Sequence, residues 1–138
     1  MKEILFRGKR KDAKKWAVGS YLFLNVPDHD WTGKETGTPS EVHFIVDEHD
    51  VNYAVDPETV GQFTGLCDKN GKKIFVGDIL SYDCYDLGDK SWYVAKIQVK
   101  DSISDLYMLS FEMNTPLSKN FKIIGNIHDN PELIDHAH

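Results

Sequence analysis

The chain is poor in cysteine, in positive charge and in long apolar runs, and each shortage excludes something. Its 138 residues hold two cysteines, Cys67 and Cys84. Two lone thiols make no disulfide framework, so a reducing cytoplasm is the expected home. No apolar run approaches the roughly 18 residues a membrane helix needs. The opening Met1-Lys2-Glu3-Ile4-Leu5-Phe6-Arg7 meets charge again before a signal-peptide core could form, so no secretory leader is expected. Sixteen Lys and Arg stand against 22 Asp and Glu, for a net charge of −6. A protein that grips DNA through non-specific phosphate contacts usually carries the opposite sign. Heptads, internal repeats and low-complexity tracts are absent, and helix signals are scarce.

What is present points to β structure. At 41% hydrophobic and 12% aromatic residues, the chain is too apolar for disorder and matches one globular domain or two small β-units. From Trp92 to Lys100 one parity supplies Tyr93, Ala95, Ile97 and Val99. The other begins with Trp92 and Val94 and turns polar at Lys96, Gln98 and Lys100. A period of two means one buried face and one wet face. Tyr107, Leu109, Phe111 and Met113 repeat the pattern, as do Phe121, Ile123, Gly125 and Ile127, and Ile79–Cys84 is a fourth candidate. Such spacing predicts a small SH3-like antiparallel barrel over 61–138.

The N-terminal unit, 1–60, is also β-rich. Ile4–Arg7 and Trp16–Leu24 form an expected hairpin around Lys11–Lys14, and Val42–Val46 and Val51–Val55 a second one across Asp47–Asp50. Asn25–Ser40, with Pro27, Gly33, Gly37 and Pro39, reads as a long loop. Asp56-Pro57-Glu58-Thr59 has a capping Asp and a first-position Pro, enough for one helical turn, and Asn130-Pro131-Glu132-Leu133-Ile134 follows the same logic. Charge is uneven: residues 1–15 carry seven basic and two acidic side chains, whereas 16–60 carry nine acidic ones and only Lys34. The basic cluster is either a solvated hairpin loop, a counterpart of the acidic segment, or a seat for phosphate or an acidic partner.

The joint between the units, Thr59 to Ile74, is the most informative stretch. Asn70-Gly71 within Asp68–Lys73 predicts a tight primed hairpin turn. DPETVGQFTGL (Asp56–Leu66) followed by DKNGKKIFVGDIL (Asp68–Leu80) resembles the signature of the YopX family of phage and prophage proteins. FKIIGNIHDNPELI (Phe121–Ile134) resembles the family's closing segment, and FRGKRKDAKKWAVGSYL (Phe6–Leu22) its first hairpin. Residues 25–55 and 85–118 match only in β character. Cys67 and His128-Asp129 depart mildly from the family pattern. The resemblance implies a small, mostly β fold, a phage or prophage origin and a place in the cytoplasm of the host bacterium. It implies no activity and carries over no catalytic residue.

Candidate chemistry is thin. Asp28-His29-Asp30 and Glu48-His49-Asp50 place metal-ligand types together, and His136 and His138 form a tail pair, with His43 and His128 elsewhere. No C-x-x-C spacing accompanies them, so no metal is expected. Cys67 and Cys84 sit in no nucleophile elbow, and Glu58 with Asp78 is better explained by capping and turn formation than by acid–base work. Gly61, Gly65, Gly71 and Gly77 lack phosphate-loop spacing. Trp92, Tyr82, Tyr85 and Tyr107 could stack bases beside Lys96 and Lys100, but Asp83, Asp86 and Asp89 crowd them and strand aromatics are more often core.

These observations predict a mostly β protein of two small subdomains with short helical turns. It is expected to be non-enzymatic, to need no cofactor, and to act as a protein-interaction module. A weak nucleic-acid-binding barrel is the alternative. The expected partner is a phage or host protein, or a second copy of the chain, and neither nucleic acid nor membrane leads. The candidate partner-binding residues are Gln62, Thr64, Asp68, Lys69, Asn70, Lys72 and Lys73, because a turn needs only Asn70 and Gly71 for its geometry. Both cysteines are expected to be reduced and unpaired. Intact mass of the non-reduced protein, purified anaerobically, checks this: a loss of two protons would mean a disulfide.

Overall fold

A computed structural model describes residues 4–29, 32–100 and 121–134. Among them are nine strands and two single 3-10 turns, all strand pairs antiparallel. The fold is mostly β. The described residues fall into two compact units, Ile4–Val60 and the part from Gly61 onward. Among them, no helix is long and apolar enough to cross a membrane.

The first unit holds β1 (Phe6–Lys9), β2 (Trp16–His29), β3 (Glu35–Val46) and β4 (Asn52–Ala54), in the sheet order β4-β3-β2-β1. Ala17, Ile45 and Val55 form its core, with Phe6, Tyr21, Tyr53 and Val60 packed against them. Both expected hairpins are present. The first 3-10 turn, Pro57–Thr59, begins as the sequence pattern predicts: Asp56 caps it, its carboxylate accepting from the Glu58 N–H at 3.1 Å.

Asn25–Ser40 is not the loop its Pro and Gly content suggests. β2 continues to His29 and β3 begins at Glu35, and Pro27 faces Pro39 across the pair, with a register shift between Pro27 and His29. The physical reason is the width of the sheet there. β1 pairs β2 only as far as Gly19 and β4 pairs β3 only over Phe44–Val46, so the outer arm is two-stranded. Each proline then has an edge on one side. Alternate antiparallel pairs exchange no hydrogen bonds, so a residue without an N–H can sit at such a pair without breaking the ladder. Leu22, Phe23, Leu24 and Val26 of this arm are exposed.

The second unit holds β5 (Gly61–Cys67), β6 (Lys73–Phe75), β7 (Asp78–Asp86), β8 (Ser91–Gln98) and β9 (Lys122–Asn126). β5 pairs with β6, and β7 lies between β8 and β9 in a three-stranded sheet. The predicted Trp92–Lys100 and Phe121–Ile127 strands thus share one antiparallel sheet, through the Ile79–Cys84 candidate. The predicted Tyr107–Met113 strand lies outside the described residues. Ile74, Leu80, Val99 and Phe121 are buried together, with Leu66, Val76, Tyr82, Ile97 and Ile123 around them. Burying each large apolar side chain contributes about 1.5–3 kcal/mol.

Alternation does not hold to the end of β8. Ile97 and Val99 of the expected core parity are covered, whereas Tyr93 is half exposed. Among the described residues, no buried side chain of the core cluster comes from the outer end of the β7–β8 hairpin. The second 3-10 turn, Pro131–Leu133, lacks the predicted cap: Asn130 makes no side-chain capping bond, and its Oδ1 instead accepts from the Asn126 N–H at 3.3 Å.

Gly19 exposes a steric requirement of the first sheet. A Cβ built there would lie 1.9 Å from the Val46 carbonyl oxygen, which is backbone and cannot swing aside. Gly19→Ala is therefore expected to cost about 2 kcal/mol or more. Gly88→Ala, where a Cβ meets only the Asp86 side chain at 3.2 Å, should cost about 0.5 kcal/mol or less. Urea unfolding of the two variants provides the comparison.

Candidate functional site

The β5–β6 turn is built on a buried carboxylate. Asp68 is 2% exposed. Its Oδ1 accepts from the Asn70 and Lys72 N–H groups, each at 2.9 Å, and its Oδ2 accepts from the Ile123 N–H at 3.0 Å. The backbone closes the same loop. The Asp68 N–H donates to the Lys72 carbonyl at 2.8 Å, and the Gly71 N–H donates to the Asp68 carbonyl at 3.0 Å.

This is a three-residue loop, Lys69-Asn70-Gly71, and not the predicted two-residue primed turn. A primed turn of type I′ needs positive φ at both central residues. Here Gly71 alone of the three has it, at 82°. The asparagine keeps an ordinary φ because the Asp68 side chain ties down the N–H groups around it.

The candidate residues therefore separate. Asp68 and Thr64 are buried, with their polar atoms turned to the fold's own backbone. The Thr64 hydroxyl donates to the Ile74 carbonyl at 2.8 Å and accepts from the Leu66 N–H at 3.3 Å. Asp78, expected as simple turn chemistry, is 1% exposed and accepts from the Phe75 N–H at 2.8 Å. Gln62, Lys69, Asn70, Lys72 and Lys73 are exposed. The Lys69 N–H donates to the Phe121 carbonyl at 2.9 Å, and Lys73 Nζ lies 5.5 Å from the centre of the Phe63 ring. The result is a fixed turn presenting three ammonium groups.

Two other arrangements lie outside this turn, the first among aromatics weighed in the sequence for stacking and the second without a counterpart there. At the outer end of the β7–β8 hairpin, Tyr85 faces Trp92 with ring centroids 5.2 Å apart, and Trp92 is 70% exposed. Leu87 and Val94 are exposed beside them. These are aromatics the β-propensity argument sends to the core; Tyr82 alone of the described three obeys it, packing on Phe121.

On the first sheet, the Tyr21 hydroxyl lies 2.5 Å from His43 Nδ1, and His43 Nε2 lies 3.3 Å from Glu41 Oε2. Burial, and then the Glu41 charge, raise the Tyr21 phenol above its ordinary value. It stays protonated and donates to Nδ1, which in the neutral ring leaves the His43 proton on Nε2 facing Glu41. The Tyr21 and Phe23 rings both stack on His43. A tyrosine with a raised pKa is a poor nucleophile. The strand register, which pairs Phe23 with His43, brings these side chains together.

Among the described residues, no cluster of three His, Cys, Asp or Glu side chains is placed to hold a metal ion. Cys67 and Cys84 are free thiols, both partly exposed. His136 and His138 lie outside the described residues.

The family model described as YopX protein matches residues 5–135, nearly the whole chain. No curated protein matches it.

Asp68 sets a pH dependence of stability. Burial disfavours its charge, but the N–H bonds from Ile123, Lys72 and Asn70 together outweigh burial and lower its pKa. A lowered folded pKa gives stability that is complete above the unfolded value, near pH 4, and is lost as pH falls through the depressed value. Asp68→Asn places an NH2 against one set of donors and should cost about 2 kcal/mol or more at pH 7. The gap between wild type and variant should narrow below about pH 4, as followed by urea unfolding across pH.

Proposed function

The chain belongs to the YopX protein family, and we propose that it is a phage- or prophage-derived accessory protein. In this reading it acts in the host bacterial cytoplasm as a non-enzymatic protein-interaction module. The observation that supports this best is the outer end of the β7–β8 hairpin, where Tyr85, Leu87, Trp92 and Val94 are all exposed. Large aromatics left in water are expensive to maintain and are enriched at the centres of protein interfaces. The exposed lysines 69, 72 and 73 of the β5–β6 turn add a charged contact on a rigid frame, suited to steering an acidic partner. The C-terminal unit is read as an SH3-like barrel on the alternation of its strands, with Tyr107–Met113 as a further strand of the sequence pattern.

One observation favours a weak nucleic-acid-binding module instead: the Tyr85–Trp92 pair is the kind of platform on which bases stack. Asp83, Asp86 and Asp89 on the same hairpin oppose it by repelling phosphate.

Capture from phage-infected host cells tests the reading. Trp92→Ala with Tyr85→Ala should abolish recovery of a specific protein while the fold persists. Changing Lys69, Lys72 and Lys73 to Ala should weaken recovery at a stability cost within about 0.5 kcal/mol per exposed site. Retention of every captured protein by both variants would refute the module. Binding of single-stranded DNA at low salt, lost with Trp92→Ala, would decide for the alternative.

A further inference from the structure

The turn between β1 and β2 gathers part of the basic cluster at the start of the chain into one concavity. Lys9, Arg10, Lys11, Asp12, Ala13, Lys14 and Asp56 line a groove of about 500 Å³ at the turn between β1 and β2. That volume is in the range of small-molecule sites. Four cationic side chains there face two carboxylates, and both carboxylates are already engaged. Asp12 takes a two-pronged bond from Arg10, at 2.9 Å from Nε and 2.8 Å from Nη2. That bond holds the Asp12 carboxyl below its ordinary range, so it stays ionised and paired. Asp56 is occupied as the cap of the first 3-10 turn.

Arg10 is thereby fixed as a wall of the groove, its guanidinium also lying 4.5 Å from the centre of the Tyr53 ring. The floor is held by the backbone: the Lys11 N–H donates to the Ala54 carbonyl at 3.0 Å, and the Asp56 N–H donates to the Lys9 carbonyl at 2.9 Å. What is left over is specific. Among the described residues, the ammonium groups of Lys11 and Lys14 have no ion-pair partner, and the backbone N–H groups of Ala13 and Lys14 donate to no carbonyl or side chain. A surplus of two positive charges and successive backbone donors in one concavity match a dianion with several oxygens.

We propose that this groove binds a small phosphorylated ligand, its phosphoryl oxygens held by the Lys11 and Lys14 side chains and the backbone N–H groups of Ala13 and Lys14. Carboxylate recognition would call on the fork of an arginine, and the fork here is spent on Asp12. A long polyanion is disfavoured by the rest of the molecule, whose net charge of −6 would repel phosphates running out of the groove.

Calorimetric titration with inorganic pyrophosphate at low ionic strength tests the site. The wild type should bind saturably, and Lys11→Ala with Lys14→Ala should weaken binding by about tenfold or more, with an unchanged melting temperature. Lys69→Ala with Lys72→Ala removes the same charge elsewhere and should leave affinity within about twofold, as a change confined to long-range screened charge does. Asp12→Asn, which frees the Arg10 fork, should tighten binding. Absence of saturable pyrophosphate binding, or equal losses in the two lysine pairs, would overturn the proposal. So would a single-stranded oligonucleotide that occupies the groove and that pyrophosphate does not displace.

Discussion

Three backbone N–H groups converge on one buried carboxylate, and the second unit is organised around that convergence. A carboxylate out of water must be met by donors or it will not stay charged. The two oxygens of Asp68 find theirs in Asn70 and Lys72, a few residues on, and in Ile123, which belongs to β9. The adjacent bond from the Lys69 N–H to the Phe121 carbonyl stitches the same two places. Turn geometry, the position of β9 and the burial of Phe121 against Ile74, Leu80 and Val99 are therefore one constraint. The backbone that carries Lys69 and Lys72 is fixed by the same bonds, while their side chains extend into water.

Much of the β framework was legible as alternation, because Leu80, Ile97 and Val99 repeat with the period of a pleat. Alternation reports which side chains share a face, but not whether anything covers that face. Trp92 and Val94 share a parity with Lys96, and Tyr93 shares one with Ile97. Yet near the hairpin end Trp92, Tyr93 and Val94, from both parities, are exposed. Loop signals failed over Asn25–Ser40 for a related reason: proline and glycine speak for local backbone, whereas a two-stranded arm with an edge on each side tolerates them.

The candidate site was half legible. Lys69, Asn70, Lys72 and Lys73 are where a turn puts them. Asp68 and Thr64 look equally polar in the sequence, and only the distant Ile123 N–H and Ile74 carbonyl show that their polarity is spent inside. Tyr21 and His43 are 22 residues apart, and nothing local connects them. Two kinds of surface result, one offering charge on a fixed turn, the other apolar area at a hairpin end. Charge governs how often partners meet and apolar contact how long they stay.

The spacing of the Asp68 bonds also orders events at the ribosome. The first unit is a continuous stretch, Ile4–Val60, and its hairpins join near neighbours in sequence, so its partners emerge together. The Asp68 carboxylate meets its two turn donors almost as soon as it is made, but its third donor lies 55 residues downstream. At roughly 5–20 residues per second, the nascent chain spends several seconds with one carboxylate oxygen still dependent on water. Through that interval the turn lacks the bond that ties it to β9, and the core cluster lacks Phe121.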